Sequence, residues 1–98
     1  MKYTVADPIL DRWGRENSVP WVHTHRDEET RSADIYLSPG RSAQLWLEAQ
    51  ASPDHFAVCV WDRNLRKNRE IVSLDELDSA LTRGLQIIRS WIAASHAV

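Results

Sequence analysis

Cysteine is almost missing from this chain. Cys59 is the only one in 98 residues, so no disulfide can form within it, and a reducing compartment suits it. The three glycines, at positions 14, 40 and 84, stand too far apart for a phosphate-cradling loop. No apolar run is long enough to span a bilayer, so no membrane role is read. The first residues hold one lysine but no apolar segment behind it, and no signal peptide is expected. The expected location is therefore the cytoplasm. Charge of one sign is not in excess either: 12 Lys and Arg face 14 Asp and Glu, for a net charge of -2. That argues against a protein built to wrap a nucleic-acid backbone, though not against a local basic patch.

What remains is a folded composition. The chain is 43% hydrophobic and 27% charged, which excludes a disordered segment. Its length is that of one domain, residues 1–98, with no repeat and no linker. Such a domain buries only about 60–65% of the surface its unfolded chain exposes. Five tryptophans are more than so small a core needs, so at least one is expected partly outside it.

Periodicity sets the element order. Asp7 can serve as N-cap with Pro8 at the first helical position, and Ile9, Leu10 and Trp13 share a face. A short helix over 7–16 follows, with Gly14 and Asn17 as stops. Residues 19–25 alternate weakly as a strand, confined by Pro20 to an edge. Ala33, Ile35 and Leu37 alternate with polar positions, as do Ala43, Leu45 and Leu47 after Pro39-Gly40, which is a hairpin. Parity favours a three-residue loop or a bulge, with Ser38 paired to Ser42, Ile35 opposite Leu45 and Ala33 opposite Leu47. Residues 55–61 are apolar on both faces, as in a central strand. After a polar turn over 62–68, a fourth run covers Glu70–Val72. Ser73 and Glu76 make a capping box, and Leu74, Leu77, Leu81, Leu85, Ile88, Trp91 and Ile92 follow at helical spacing, predicting a helix over about 74–94. The expected fold is α+β: a short N-terminal helix, a three- to four-stranded antiparallel meander, and a long C-terminal helix on one sheet face.

No reactive set emerges. His23 and His25 at i, i+2 could point at one metal ion, with Asp27, Glu28 or Glu29, or the distant His55 and His96, as further ligands. The spacing is no strong signature, and a solvated strand end explains it as well. Cys59 lies between Val58 and Val60 and reads as a buried thiol rather than a nucleophile. Asp75, Glu76 and Asp78 suit the positive end of the helix dipole. Arg63, Arg66, Lys67 and Arg69 could grip phosphates, but no aromatic interleaves them. The chain is expected not to be an enzyme and to need no cofactor.

The remaining signal is an aromatic sheet face. Asp34 is expected opposite Trp46, with Tyr36 diagonal to it and Glu48 beside it, together with one apolar stripe of residues 56–61. This is the composition of an interface hot spot, unless Trp13 and the first helix cover it. The runs "ADIYLSPGRSAQLWLEAQ", "HFAVCVWDR" and "SLDELDSALTRGLQIIRSW" give a mildly acidic, Trp-rich strand–strand–helix chain. In that general character it resembles the immunity proteins of bacterial toxin systems, including those of contact-dependent growth inhibition. The resemblance implies an inhibitor that binds a toxin domain, often a nuclease, in a one-to-one complex. Asp27, Glu28, Glu29, Asp34 and Glu48 would then meet a basic surface, with Tyr36 and Trp46 as anchors. The alternatives are a metal-binding domain or enzyme using His23 and His25, and an RNA-binding module using Arg63 to Arg69.

Overall fold

The computed structural model describes residues 3–21, 30–38 and 41–96. Its elements are α1 (Asp7–Asn17), β1 (Thr30–Ser38), β2 (Arg41–Ala49), β3 (His55–Trp61), β4 (Lys67–Ser73), a single 3₁₀ turn (Leu74–Glu76) and α2 (Leu77–His96). The strands pair antiparallel in the order β1-β2-β3-β4. The expected α+β meander with its long C-terminal helix is the fold observed.

In α1 the sequence misassigned the cap. Ala6 occupies the N-cap position, and Asp7 lies within the first turn. The carbonyl of Tyr3 already accepts the amides of Ala6 and Asp7, so these donors need no side chain. The Asp7 carboxylate is used across the fold instead, accepting from Arg31 Nε at 3.0 Å and Nη2 at 3.3 Å. Gly14 does not stop the helix, which runs to Asn17. Ser18 then turns left-handed (φ 57°), and the Val19 amide donates back to the Gly14 carbonyl. The described start of the expected 19–25 strand, residues 19–21, is irregular. Trp21 folds back toward the helix, its ring centroid 6.2 Å from that of Trp13. Positions 22–25 lie outside the described residues.

The hairpin register differs from the expectation by two residues. Ser38 pairs with Arg41, the register then shifts between Tyr36 and Ser38, and Tyr36 pairs with Ser42, Ile35 with Ala43 and Ala33 with Leu45. The connection is the tight one, and a bulge restores the parity that it would break. A shift of two leaves every side chain on its expected face. The hydrophobic pattern therefore specifies the face but not which of the even registers is taken. β4 begins at Lys67, three residues before the expected run, and the β3–β4 turn is correspondingly shorter.

One face of the sheet carries Ala33, Ile35, Ala43, Leu45, Leu47, Phe56, Val58, Val60 and Val72. These form the core with Leu10 and Trp13 of α1 and Leu77, Ala80, Leu81, Leu85 and Ile88 of α2. α2 lies close against β3, where a Cβ on Gly84 would stand 3.2 Å from Val60 Cγ1. The long stripe of α2 is as the sequence predicts. The capping box is not realised as a hydrogen bond: Ser73 stands at the cap of the 3₁₀ turn, but its side chain caps nothing. The Leu74 amide donates instead to the Asp54 carbonyl at 2.7 Å. The core is sealed at the N-terminal side by polar contacts of high sequence separation. Tyr3 Oη donates to the Leu47 carbonyl at 3.3 Å and accepts from the Ala49 amide at 3.1 Å, while Arg31 stacks 4.6 Å over the Tyr3 ring. Trp13 Nε1 donates to Thr82 Oγ1 at 3.1 Å.

Candidate interaction face

The opposite face of the sheet is built by the alternate residues of the same strands. In register it carries Ser32, Asp34 and Tyr36 of β1, Ser42, Gln44, Trp46 and Glu48 of β2, then Ala57, Cys59 and Trp61 of β3, and finally Lys67, Arg69 and Ile71 of β4. Ala57 and Cys59 are almost wholly buried, yet they stand outside the core cluster. Their cover comes from the same face. Trp46 and Arg69 flank Cys59 in register, and Glu48 and Ile71 flank Ala57. Trp46 Nε1 donates to Glu48 Oε1 at 2.9 Å, and Arg69 Nη2 lies 3.6 Å from Glu48 Oε2. The Glu48–Arg69 bridge runs from β2 to β4 and so crosses over β3. Small residues on the central strand let long neighbours close over them, and among the described residues the sheet shields its own middle without a second layer.

This roof governs Cys59. Burial, reinforced by the Glu48 carboxylate, pushes its thiol up to about 11 from an ordinary 9.0. The thiol is therefore neutral and shielded at neutral pH, and a nucleophilic role has no support. Two outcomes are expected. Thiol reagents at pH 8 label the native chain far more slowly than the chain unfolded in guanidinium; equal rates would refute the roof. The sign of the pH effect follows from the raised value. The folded state keeps the proton to higher pH than the unfolded state, so this stabilisation is complete below about 9 and is lost as pH rises toward about 11. Denaturation midpoints between pH 8 and 10.5 should fall less steeply in Cys59→Ala.

Toward the other end of the face the surface is more open. Tyr36 is 75% exposed. Asp34 accepts a hydrogen bond from Arg63, which reaches it from the β3–β4 loop. That loop is held by Asp62, whose carboxylate accepts the amides of Asn64 and Arg66 at 2.9 and 3.0 Å, and Arg63 takes a left-handed conformation (φ 66°) within it. The loop also accepts from Trp61 Nε1 through the Asn64 carbonyl at 3.2 Å, and Lys67 Nζ lies 5.5 Å from the Trp61 ring centroid. Leu65 at the tip is 87% exposed.

The structure thus brings Asp34, Tyr36, Trp46 and Glu48 onto one face, as expected, but not in the expected pairs. Ser32, not Asp34, is opposite Trp46, and Asp34 faces Gln44. The two-residue register shift is the reason. Trp13 and α1 do not cover this face, because Trp13 is buried in the core against α2. Of the two apolar stripes of residues 56–61, the one on this face is Ala57, Cys59 and Trp61; sequence reading missed Arg63, Lys67, Arg69 and Ile71 as members. The alternation of Lys67, Arg69, Ile71 and Ser73 was the available signal, hidden because its residues are charged.

The remaining candidates separate. Asp27, Glu28, Glu29, His23 and His25 lie outside the described residues. His55 hydrogen-bonds its neighbour Asp54 at 3.0 Å and holds that carboxyl below its usual range. No group of three or more His, Cys, Asp or Glu among the described residues could hold a metal ion. The basic run is not one loop: Lys67–Arg69 belong to β4, and Arg63, Arg66 and Arg69 pair with Asp34, Asp62 and Glu48. Among the described residues no helix is long and apolar enough to cross a membrane. Comparisons with protein-family models, with curated proteins and with solved structures find no match.

Proposed function

We propose that the chain is a non-enzymatic binding protein that receives a partner protein on the sheet face opposite α1 and α2. The observation that carries this is Tyr36, a large aromatic left 75% exposed on a face that also presents Trp46 and Trp61 among cross-strand ion pairs. Aromatic anchors ringed by polar groups are what interface hot spots are made of. In its narrower form the partner is a toxin domain that the chain neutralises, the reading the resemblance of the sequence implies. The charge logic of that form changes. Asp34 and Glu48 are paired within the chain by Arg63 and Arg69, so a basic partner would have to compete with those arginines for them.

The same roof changes which substitution tests the reading. Trp46 covers Cys59, so Trp46→Ala would mix a folding cost with a binding cost. Tyr36→Ala removes an exposed ring and is expected to change stability by less than about 0.5 kcal/mol. In a complex isolated from the source cell it should weaken binding by about 2 kcal/mol or more, roughly 30-fold. Calorimetry on the purified pair measures both. Unchanged affinity in Tyr36→Ala and Trp61→Ala alike would overturn the reading. Retention of RNA by the wild type, lost at moderate salt, would replace it with the nucleic-acid alternative.

A further inference from the structure

The β4 edge of this face has a composition that the aromatic surface does not account for. β4 is the last strand of the sheet and pairs only with β3, so one side of its backbone offers unpaired N–H and C=O groups among the described residues. Its outward row is Lys67, Arg69 and Ile71, all exposed, at two-residue spacing. Arg63, Arg66 and Arg69 each have a carboxylate partner, whereas among the described residues Lys67 has the Trp61 ring beside it and no carboxylate. Arg69 reaches Glu48 at 3.6 Å, and half of its side chain remains in solvent (51%). Ile71 is 52% exposed. The opposite row does not share this excess: Glu70 is held by Arg83 at 2.6 Å and Val72 is in the core.

Charge on an edge strand blocks indiscriminate pairing. It also chooses the sign of a strand that can pair. A second copy of β4 brings the same basic residues to this edge. A strand with acidic side chains at alternate positions brings a carboxylate to Lys67 and a second one to the half-exposed Arg69, while its backbone closes the ladder. We propose that the β4 edge takes up an extended acidic segment of the partner protein, added as a fifth strand. Two carboxylates at i and i+2 meet Lys67 and Arg69, and an apolar side chain at i+4 covers Ile71. This inference rests on the reading of the adjoining face as a protein-binding surface, and it names the chemistry of what binds there.

The test uses the full chain labelled with ¹⁵N and a synthetic capped peptide, Thr-Glu-Thr-Glu-Thr-Ile-Thr, with a control in which both Glu are Lys. The expected result is a saturable shift confined to the amides of residues 67–73 and the Trp61 indole N–H. It should be absent with the Lys peptide and weakened at least tenfold in Lys67→Glu. Should that reversal disturb the spectrum as a whole, Lys67→Gln is the second variant, with a smaller loss expected. No shift at millimolar peptide overturns the proposal. So does an equal response to the Lys peptide, or a stronger response of the same signals to oligouridine. The two readings fail separately. A partner complex that depends on Tyr36, beside a silent acidic peptide, sinks the edge inference alone. A peptide response with a Tyr36-independent complex sinks the face.

Discussion

Trp13→Ala is expected to lower the unfolding free energy by about 3–5 kcal/mol, the largest single effect in the chain. The side chain is 1% exposed and belongs to the cluster that joins α1 to α2 and the sheet. Truncation removes its apolar area and leaves a cavity that neighbours held by the sheet and a long helix can only partly fill. It also removes the donor to Thr82 Oγ1. A small domain has about 5–15 kcal/mol in total, so the variant stands near the limit of folding at 37 °C. Urea denaturation followed by circular dichroism measures the change. Trp13→Phe keeps most of the volume and loses the hydrogen bond, and should cost about 1–2 kcal/mol. A loss below 1 kcal/mol in Trp13→Ala would mean that α1 does not belong to the cooperative unit.

Gly14→Ala should destabilise the domain by about 1–3 kcal/mol, the reverse of what helix propensity dictates. Inside a helix, exchanging Gly for Ala ordinarily gains about 1 kcal/mol. Here the added Cβ would stand 2.7 Å from the Val19 carbonyl oxygen and 2.8 Å from Trp21 Cδ1. The first of these is backbone, held by the return hydrogen bond from Val19 to Gly14, and cannot swing aside. Gly84→Ala is the comparison: its nearest neighbour is a methyl of Val60 at 3.2 Å, a side chain with room to give by a few tenths of an ångström. The two melts should differ clearly, with Gly84→Ala the milder. A Gly14→Ala chain as stable as the wild type would mean that the Trp21 turn is not fixed where it is described.

These positions show what the sequence made legible and what it hid. The α2 stripe was plain because Leu77, Leu81, Leu85, Ile88 and Trp91, at helical spacing over about four turns, admit no other periodicity. The strand faces were plain because alternation has a period of two. Hidden were the facts that depend on meeting a distant residue. Asp7 looks like a cap until Arg31 is placed beside it, and Gly14 looks like a stop until Trp21 folds onto it. Ser73 and Glu76 spell a capping box, yet the Ser73 side chain caps nothing and Ser73 ends the β3–β4 ladder opposite His55. Of the interaction face, Asp34, Tyr36, Trp46 and Glu48 were legible from hairpin parity. Lys67 and Arg69 were not, since a charged edge strand and a charged loop have the same composition.

The contacts that fasten α1 carry a consequence for the order of assembly. The meander and α2 connect neighbours in sequence, so residues 30–96 can organise through short loop closures. The N-terminal segment cannot. Tyr3 reaches Leu47 and Ala49, 44 and 46 positions away, and Trp13 reaches Thr82 across 69. α1 precedes in the chain every residue of the sheet and of α2 that buries it. Docking of α1, which covers Tyr3, Leu10 and Trp13, is therefore expected to follow the pairing of the meander with α2.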